Sequence, residues 1–364
     1  MELNNANNTN NTNNTNNTNN TNNTNNTNNK YVTNIDNVLS TLDKYGVAII
    51  PNILNAQECE NMKQGMWNYL ETVTKNMEIP ITKNNPQTWK TFKELYPKHS
   101  MLLQHWSVGH SQFIWDVRSN SKVIAPFEKI WNTPKEDLLV SFDGASFHFP
   151  PETSGFGWEN PKKCWLHTDQ SYLRNNFECV QGWVNAYDTN NGDATLTILE
   201  GSHKQHENFQ KKFNKDPKDI KDDWHILNED ELEWYITTKG CVKSNITCSA
   251  GSLVLWDSRT IHSGKQPEKT RQIPNYRCVV YVCYTPRNKS TPKLLQKKIE
   301  AFNNLRTTSH WPHKPKLFPK TPRTYGMPLP NVTQIPKPNI TPLGLRLIGF
   351  EKDAPIINKE DIVL

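Results

Sequence analysis

Between residues 138 and 284 the chain breaks into a series of short apolar runs separated by turn residues, and this rhythm limits its fold more than any other feature. The runs lie at 138–142, 146–149, 165–169, 180–187, 194–199, 241–247, 252–257, 260–262 and 277–284. Turn signals stand between them: Asp143-Gly144, Pro150-Pro151, Asn190-Asn191-Gly192-Asp193 and Ala250-Gly251. Short strands at this spacing predict an all-β sandwich or barrel. No glycine-rich strand-to-helix turn is present, so a Rossmann domain or P-loop is not expected.

Helical patterns flank this region. Val38, Leu39, Leu42 and Tyr45 have helical spacing, and Gly46 stops that helix. A buried strand at 47–51 follows and ends on proline. Asn55 then precedes Glu58 by three residues, a capping box for a helix running through Trp67 and Leu70. Residues 80–135 read as mixed and mostly helical, with Gln104, His105 and Arg118 as polar side chains able to reach a site. A basic helix at 291–305 precedes a proline-rich tail. The expected class is mixed α+β with a mainly β core.

Three divisions follow. Residues 1–29 are almost pure Asn and Thr, and a polar tract without apolar residues cannot offset its ordering entropy, so it is expected to be disordered. Residues 30–290 hold the β region with a helical cover at its N-terminal side, and 291–364 form an extension. Residues 204–240 read as a charged, solvated surface helix. The net charge of +6 is concentrated at residues 289–325, where nine Lys and Arg face one Glu. The plain reading is a solvated basic tail, since no nucleic-acid motif accompanies it. Seven cysteines without metal-finger spacing suggest small core residues and a reducing compartment. No apolar run is long enough to span a bilayer and no signal-peptide order opens the chain, so a soluble, intracellular and by default cytoplasmic protein is expected.

The candidate chemistry begins at His167-Thr168-Asp169. Residues two apart on an extended segment share a face, so an imidazole and a carboxylate can meet at one metal ion. His262 is the best third ligand, taken as closing a late strand that lies opposite the one carrying His167 and Asp169. Two imidazoles and one carboxylate form the facial triad of non-haem Fe(II) oxygenases. His148, His203, His206, His310 and His313 are weaker ligand candidates. A 2-oxoglutarate co-substrate would need a cation for its far carboxylate, and arginine pairs bidentately with such a group. Arg277 at the head of the last run is preferred, with Arg271 as the alternative.

Several blocks together resemble the phytanoyl-CoA dioxygenase family of Fe(II)/2-oxoglutarate-dependent oxygenases. They are His167-Thr168-Asp169-Gln170, Trp183-Val184-Asn185-Ala186-Tyr187, Asn190-Asn191-Gly192-Asp193-Ala194 and Leu199-Glu200-Gly201-Ser202-His203-Lys204. Gly251-Ser252, Trp256-Asp257-Ser258-Arg259, Ile261-His262-Ser263-Gly264 and Arg277 complete the set. The resemblance spans roughly residues 40–290. It implies a double-stranded β-helix, the cupin-like jelly roll, with helices outside. It also implies iron on His167, Asp169 and His262, with Arg277 and Trp183 at 2-oxoglutarate. The partners would be O2 and a small-molecule substrate, and neither a membrane nor a nucleic acid is expected. Halogenating relatives have a small residue in place of the carboxylate, so Asp169 implies hydroxylation. The runner-up is a catalytically silent jelly roll that binds a ligand or metal.

Overall fold

The computed structural model describes residues 29–96, 101–160, 165–213 and 223–351. The Asn/Thr tract, Cys164 and the last residues of the tail lie outside the described residues. Eleven strands are described: β1 (Val47–Ile50), β2 (Leu138–Val140), β3 (Ala145–His148), β4 (His167–Thr168), β5 (Val180–Asn185), β6 (Thr195–Glu200), β7 (His225–Ile226), β8 (Val242–Asn245), β9 (Leu253–Asp257), β10 (His262–Lys265) and β11 (Arg277–Pro286).

They form two sheets. One has the order β1-β9-β5-β11-β2, with β3 also paired to β11. The other has the order β7-β4-β10-β6-β8. All pairings within them are antiparallel. The strand order alternates early and late segments, as a double-stranded β-helix requires. The central strands β5, β9 and β11 are apolar and almost wholly buried because the first sheet is covered on both faces. Helices Ala56–Thr74, Gln112–Arg118 and Ser121–Trp131 supply one cover, packing Met62, Met66, Trp115 and Phe127 into the main core.

The opening segment follows its sequence signals. Helix Val38–Tyr45 ends on Gly46 at φ 79°, whose amide donates to the Leu42 carbonyl at 2.7 Å. A Cβ there would lie 2.6 Å from both His203 Nδ1 and Thr260 Oγ1, so position 46 needs glycine for its backbone and its surroundings alike. The Asn55/Glu58 capping box forms in full.

Three expectations are corrected. His262 opens β10 instead of closing a strand, and β10 lies beside β4 in the same sheet, not opposite it. Direct pairing of the two short strands sets the two histidines side by side. The stretch around 204–240 is more than a surface helix. It contributes β7 to the second sheet, and Phe209, Leu227, Trp234 and Tyr235 pack with Leu166 and Tyr172 in a buried cluster. Its charged residues hid this apolar set. The basic segment is also not simply solvated. Within helix Pro292–Asn303, Lys298 is buried, bonds the Val140 carbonyl and sits 3.6 Å from the centroid of the Phe142 ring. Ser309, His310, Trp311, Lys314, Lys316 and Phe318 line the principal cavity. The cysteines in the described residues are buried and free, and Cys179 and Cys283 meet Trp311 in a small cluster. No described helix is long and apolar enough to cross a membrane.

Candidate active site

The β4–β10 pairing places His262 directly across from His167, with ring centroids 4.5 Å apart. Asp169 follows β4, its amide donating to the Ser258 carbonyl at 3.2 Å. Ser258 belongs to the turn after β9, so the backbone of Asp169 is fixed to the turn that leads into His262. One donor atom each from His167, Asp169 and His262 lies within 4.8 Å of the others. Among the described residues this is the one such group of three or more His, Cys, Asp or Glu. None of the other candidate histidines joins it.

Hydrogen bonds fix how the rings point. His167 Nδ1 donates to the Trp165 carbonyl at 2.9 Å, and His262 Nδ1 donates to the Thr260 carbonyl at 2.8 Å. A carbonyl only accepts, so each neutral ring carries its proton on Nδ1 and turns the Nε2 lone pair inward. His167 Nε2 lies 3.7 Å from Asp169 Oδ1, and His262 Nε2 lies 3.3 Å from Asp169 Oδ2. Lone pairs of three acceptors therefore face one another. A cation between them resolves that arrangement, and donor atoms bound at roughly 2.1 Å sit about 3 Å apart. The residues present thus fit a divalent metal with nitrogen and oxygen ligands.

The electrostatics agree. Burial pushes the His167 pKa down to about 4, and His262 beside it pushes the same way, so His167 is neutral and able to ligate at pH 7. For Asp169, burial opposes the charged form, yet His310, His167 and His262 hold its pKa well below the usual carboxylate range. Gln181 Nε2 donates to Asp169 Oδ2 at 3.0 Å and orients the carboxylate. The sequence reading missed Gln181. Its signal was phase: Gln181 and Trp183 are two apart on β5 and face the same side.

A cavity of about 640 Å³ opens on this group. Arg277 and Trp183 both line it, with the guanidinium 5.3 Å from the centroid of the indole. Arg277 Nε donates to Ser146 Oγ at 2.9 Å and Nη1 to the Ala194 carbonyl at 3.0 Å, partners that hold the fork without neutralising it. Arg271 does not line the cavity. It pairs with Glu152 at 2.6 Å and Asp193 at 3.0 Å. Gln104 lines the cavity, whereas His105 Nδ1 donates to the Pro319 carbonyl and Arg118 is buried against the carbonyls of Gly109 and Asp143. Trp165, Trp224 and Trp256 add indole walls, with Trp224 about half exposed at 51%.

The remaining motif residues brace this centre. Ser202 Oγ donates to the Leu199 carbonyl and accepts from the Ile261 amide, tying the Gly-Ser-His turn to the start of β10. His203 Nε2 donates to the Asp43 carbonyl, joining the same turn to the first helix. Arg259 clasps Asp257 and bonds the Asn175 carbonyl.

"Ava biosynthesis cluster protein O" of Aspergillus versicolor is 27% identical over 281 residues, covering 74% of this chain and 83% of that protein. Among solved structures, EctD from S. alaskensis with 2-oxoglutarate and 5-hydroxyectoine has a TM-score of 0.44 at 11% identity, covering 68% of this chain and 75% of that one. The epimerase SnoN in complex with Fe3+, alpha ketoglutarate and nogalamycin RO has a TM-score of 0.40 at 13% identity, covering 70% and 84%. Both structural likenesses are distant. The profile of the phytanoyl-CoA dioxygenase (PhyH) family matches residues 42–272, more than half of the chain. The chain belongs to this family, whose members are Fe(II)/2-oxoglutarate-dependent oxygenases.

Proposed function

We propose that His167, Asp169 and His262 hold a single Fe(II), that Arg277 and Trp183 bind 2-oxoglutarate beside it, and that the enzyme hydroxylates a small organic molecule. The observation that carries this reading is the inward turn of both Nε2 atoms toward Asp169, set by the carbonyls of Trp165 and Thr260. In this arrangement residues 30–290 serve as the oxygenase domain, and part of the 291–364 extension forms the cavity's outer wall.

When bound, iron with 2-oxoglutarate and O2 supplies an oxidant for C–H bonds, and 2-oxoglutarate leaves as succinate and CO2. The chain's own residues do the placing. A metal held by these three residues would keep open positions for 2-oxoglutarate and O2. The Arg277 fork, held by Ser146 and Ala194, takes the far carboxylate and sets the reach of the co-substrate. Trp183 and Tyr281 wall its length. Gln181 holds Asp169 so that one carboxylate oxygen keeps a fixed direction. The indoles of Trp165 and Trp256 keep water from the reacting region. Asp169 keeps the third protein ligand in place, which favours hydroxylation over halide transfer.

The test is conversion of 2-oxoglutarate to succinate by Fe(II)-loaded protein. Turnover that depends on iron and is abolished by His167→Ala supports the assignment. Turnover equal in wild type and His167→Ala overturns it.

A further inference from the structure

Two polar side chains in the cavity wall are assigned neither to the metal nor to 2-oxoglutarate. The first is Asp143, in the turn between β2 and β3. It lines the cavity and is 7% exposed. The Gly144 amide faces its carboxylate, but among the described residues no cation lies within ion-pair distance of it. The nearby Arg118 guanidinium is spent on the backbone carbonyls of Gly109 and Asp143 itself. The second is His310, whose Nε2 is buried without a hydrogen-bond partner among the described residues.

The segments that carry these two groups are tied together through the backbone. The Phe142 amide donates to Thr308 Oγ1 at 3.1 Å, and the Thr308 amide donates back to the Phe142 carbonyl at 3.0 Å. Asp143 is one residue beyond the first anchor and His310 two beyond the second. Arg118 grips the Asp143 carbonyl at 2.6 Å, and a Cβ at Gly109 would lie 2.5 Å from that oxygen. The turn is therefore rigid. A buried carboxylate left without a cation is costly, and so is a buried imidazole nitrogen left without a partner.

We propose that Asp143 and His310 are the substrate anchor, and that the substrate carries a protonated amine on an apolar, ring-bearing body. This rests on the oxygenase reading of the same cavity. Asp143 pairs with the ammonium group, and His310 takes a remaining N–H hydrogen bond on Nε2. The indoles of Trp165 and Trp256 line the same cavity and suit an apolar ring. Burial, the largest influence, pushes the Asp143 pKa up to about 7, while Arg118 draws it down and Asp169 raises it. A cationic occupant offsets that destabilisation of the charged carboxylate. Elsewhere on the wall Lys314 faces Asp223 at 3.6 Å and lies over the Trp311 ring.

The experiment is anaerobic calorimetric titration of the protein loaded with Fe(II) and 2-oxoglutarate. The probes are phenethylamine, its neutral counterpart phenylethanol and the anion phenylacetate. The amine is expected to bind about 10-fold or more tightly than the alcohol, as a charged hydrogen-bonded pair would give. Asp143→Asn should bring amine and alcohol to within about twofold, and His310→Gln should weaken the amine several-fold. Thermal melting of each variant identifies any that does not fold, and the wild-type comparison decides the proposal by itself. Equal affinity for amine and alcohol, no binding of either, or an amine preference untouched in a folded Asp143→Asn overturns it. Iron content and the absorption band formed with 2-oxoglutarate are read on the same samples. An Asp143-dependent amine preference in protein that takes up no iron would support the anchor and defeat the iron assignment instead.

Discussion

His262 stands directly across an antiparallel strand pair from His167, and both rings turn Nε2 toward Asp169 because each Nδ1 is bonded to the carbonyl two residues earlier. The repeated i to i−2 bond makes the two histidines near-equivalent despite being 95 positions apart in the chain. Each strand thus orients its own ligand, and strand pairing sets their separation.

The outer partner of the carboxylate gives the first prediction. Gln181→Ala removes the 3.0 Å bond to Asp169 Oδ2 without touching a ligand. Iron affinity should fall about 10- to 100-fold, as is usual for such supporting residues. Gln181→Glu should fall further, since a second carboxylate would face Asp169. Competition against a chelator measures both, and an unchanged affinity in Gln181→Ala would argue against the orienting role.

The two arginines should separate cleanly. Arg277→Met should raise the KM for 2-oxoglutarate by about 100-fold or more, because an unpaired carboxylate would be left in a buried site. Arg271→Met should leave that KM within about twofold but lower the stability by about 3 kcal/mol, since it leaves buried Asp193 without its cation. Steady-state kinetics and urea unfolding distinguish them. A KM effect in Arg271→Met matching that of Arg277→Met would reverse the assignment.

Buried histidines make the metal-free protein acid-sensitive. Burial lowers the pKa of His110 to about 3 and of His206 to about 4. Their unfolded values lie near 6.5, so the unfolded chain takes up protons first as the pH falls. The stabilisation is full above about 6.5 and is lost progressively as pH falls toward 4 and then 3, by about 1.4 kcal/mol per pH unit for each group. Melting temperature should therefore drop between pH 7 and pH 5. A flat profile across that window would contradict the buried, neutral state of these rings.

The link between the β2–β3 turn and the extension can be tested by Thr308→Val, which is close to isosteric. It removes the acceptor for the Phe142 amide, and a buried amide left unsatisfied costs about 1–3 kcal/mol. Denaturant unfolding should show a loss of that size. Unchanged stability would mean that Thr308 Oγ1 does not hold the turn.

The sequence carried the centre of this protein better than its edges. His167, Asp169, His262 and Arg277 stood in apolar runs whose alternation and turns are local properties, and the structure brings all four to one cavity. The side-by-side pairing of β4 and β10 was not legible, because register depends on contacts between distant short strands. Gln181 was legible in phase with Trp183 but was absorbed into an apolar run. Asp143 was read only as half of an Asp-Gly turn. His310 was read only as a weak metal-ligand candidate, because its place depends on the bond between Phe142 and Thr308, 166 residues apart, in a tail without periodicity. The aromatic cluster around Phe209 and Tyr235 was masked by the charged residues surrounding it in sequence.

The central claim is that one iron bound by this triad makes the protein turn over 2-oxoglutarate. The most direct measurement is iron stoichiometry together with succinate formation, on wild type and Asp169→Ala prepared side by side and checked for equal folding. The account predicts close to one iron per chain and iron-dependent succinate in wild type, with both lost in the variant. Equal iron content and equal succinate formation in the two proteins would contradict it.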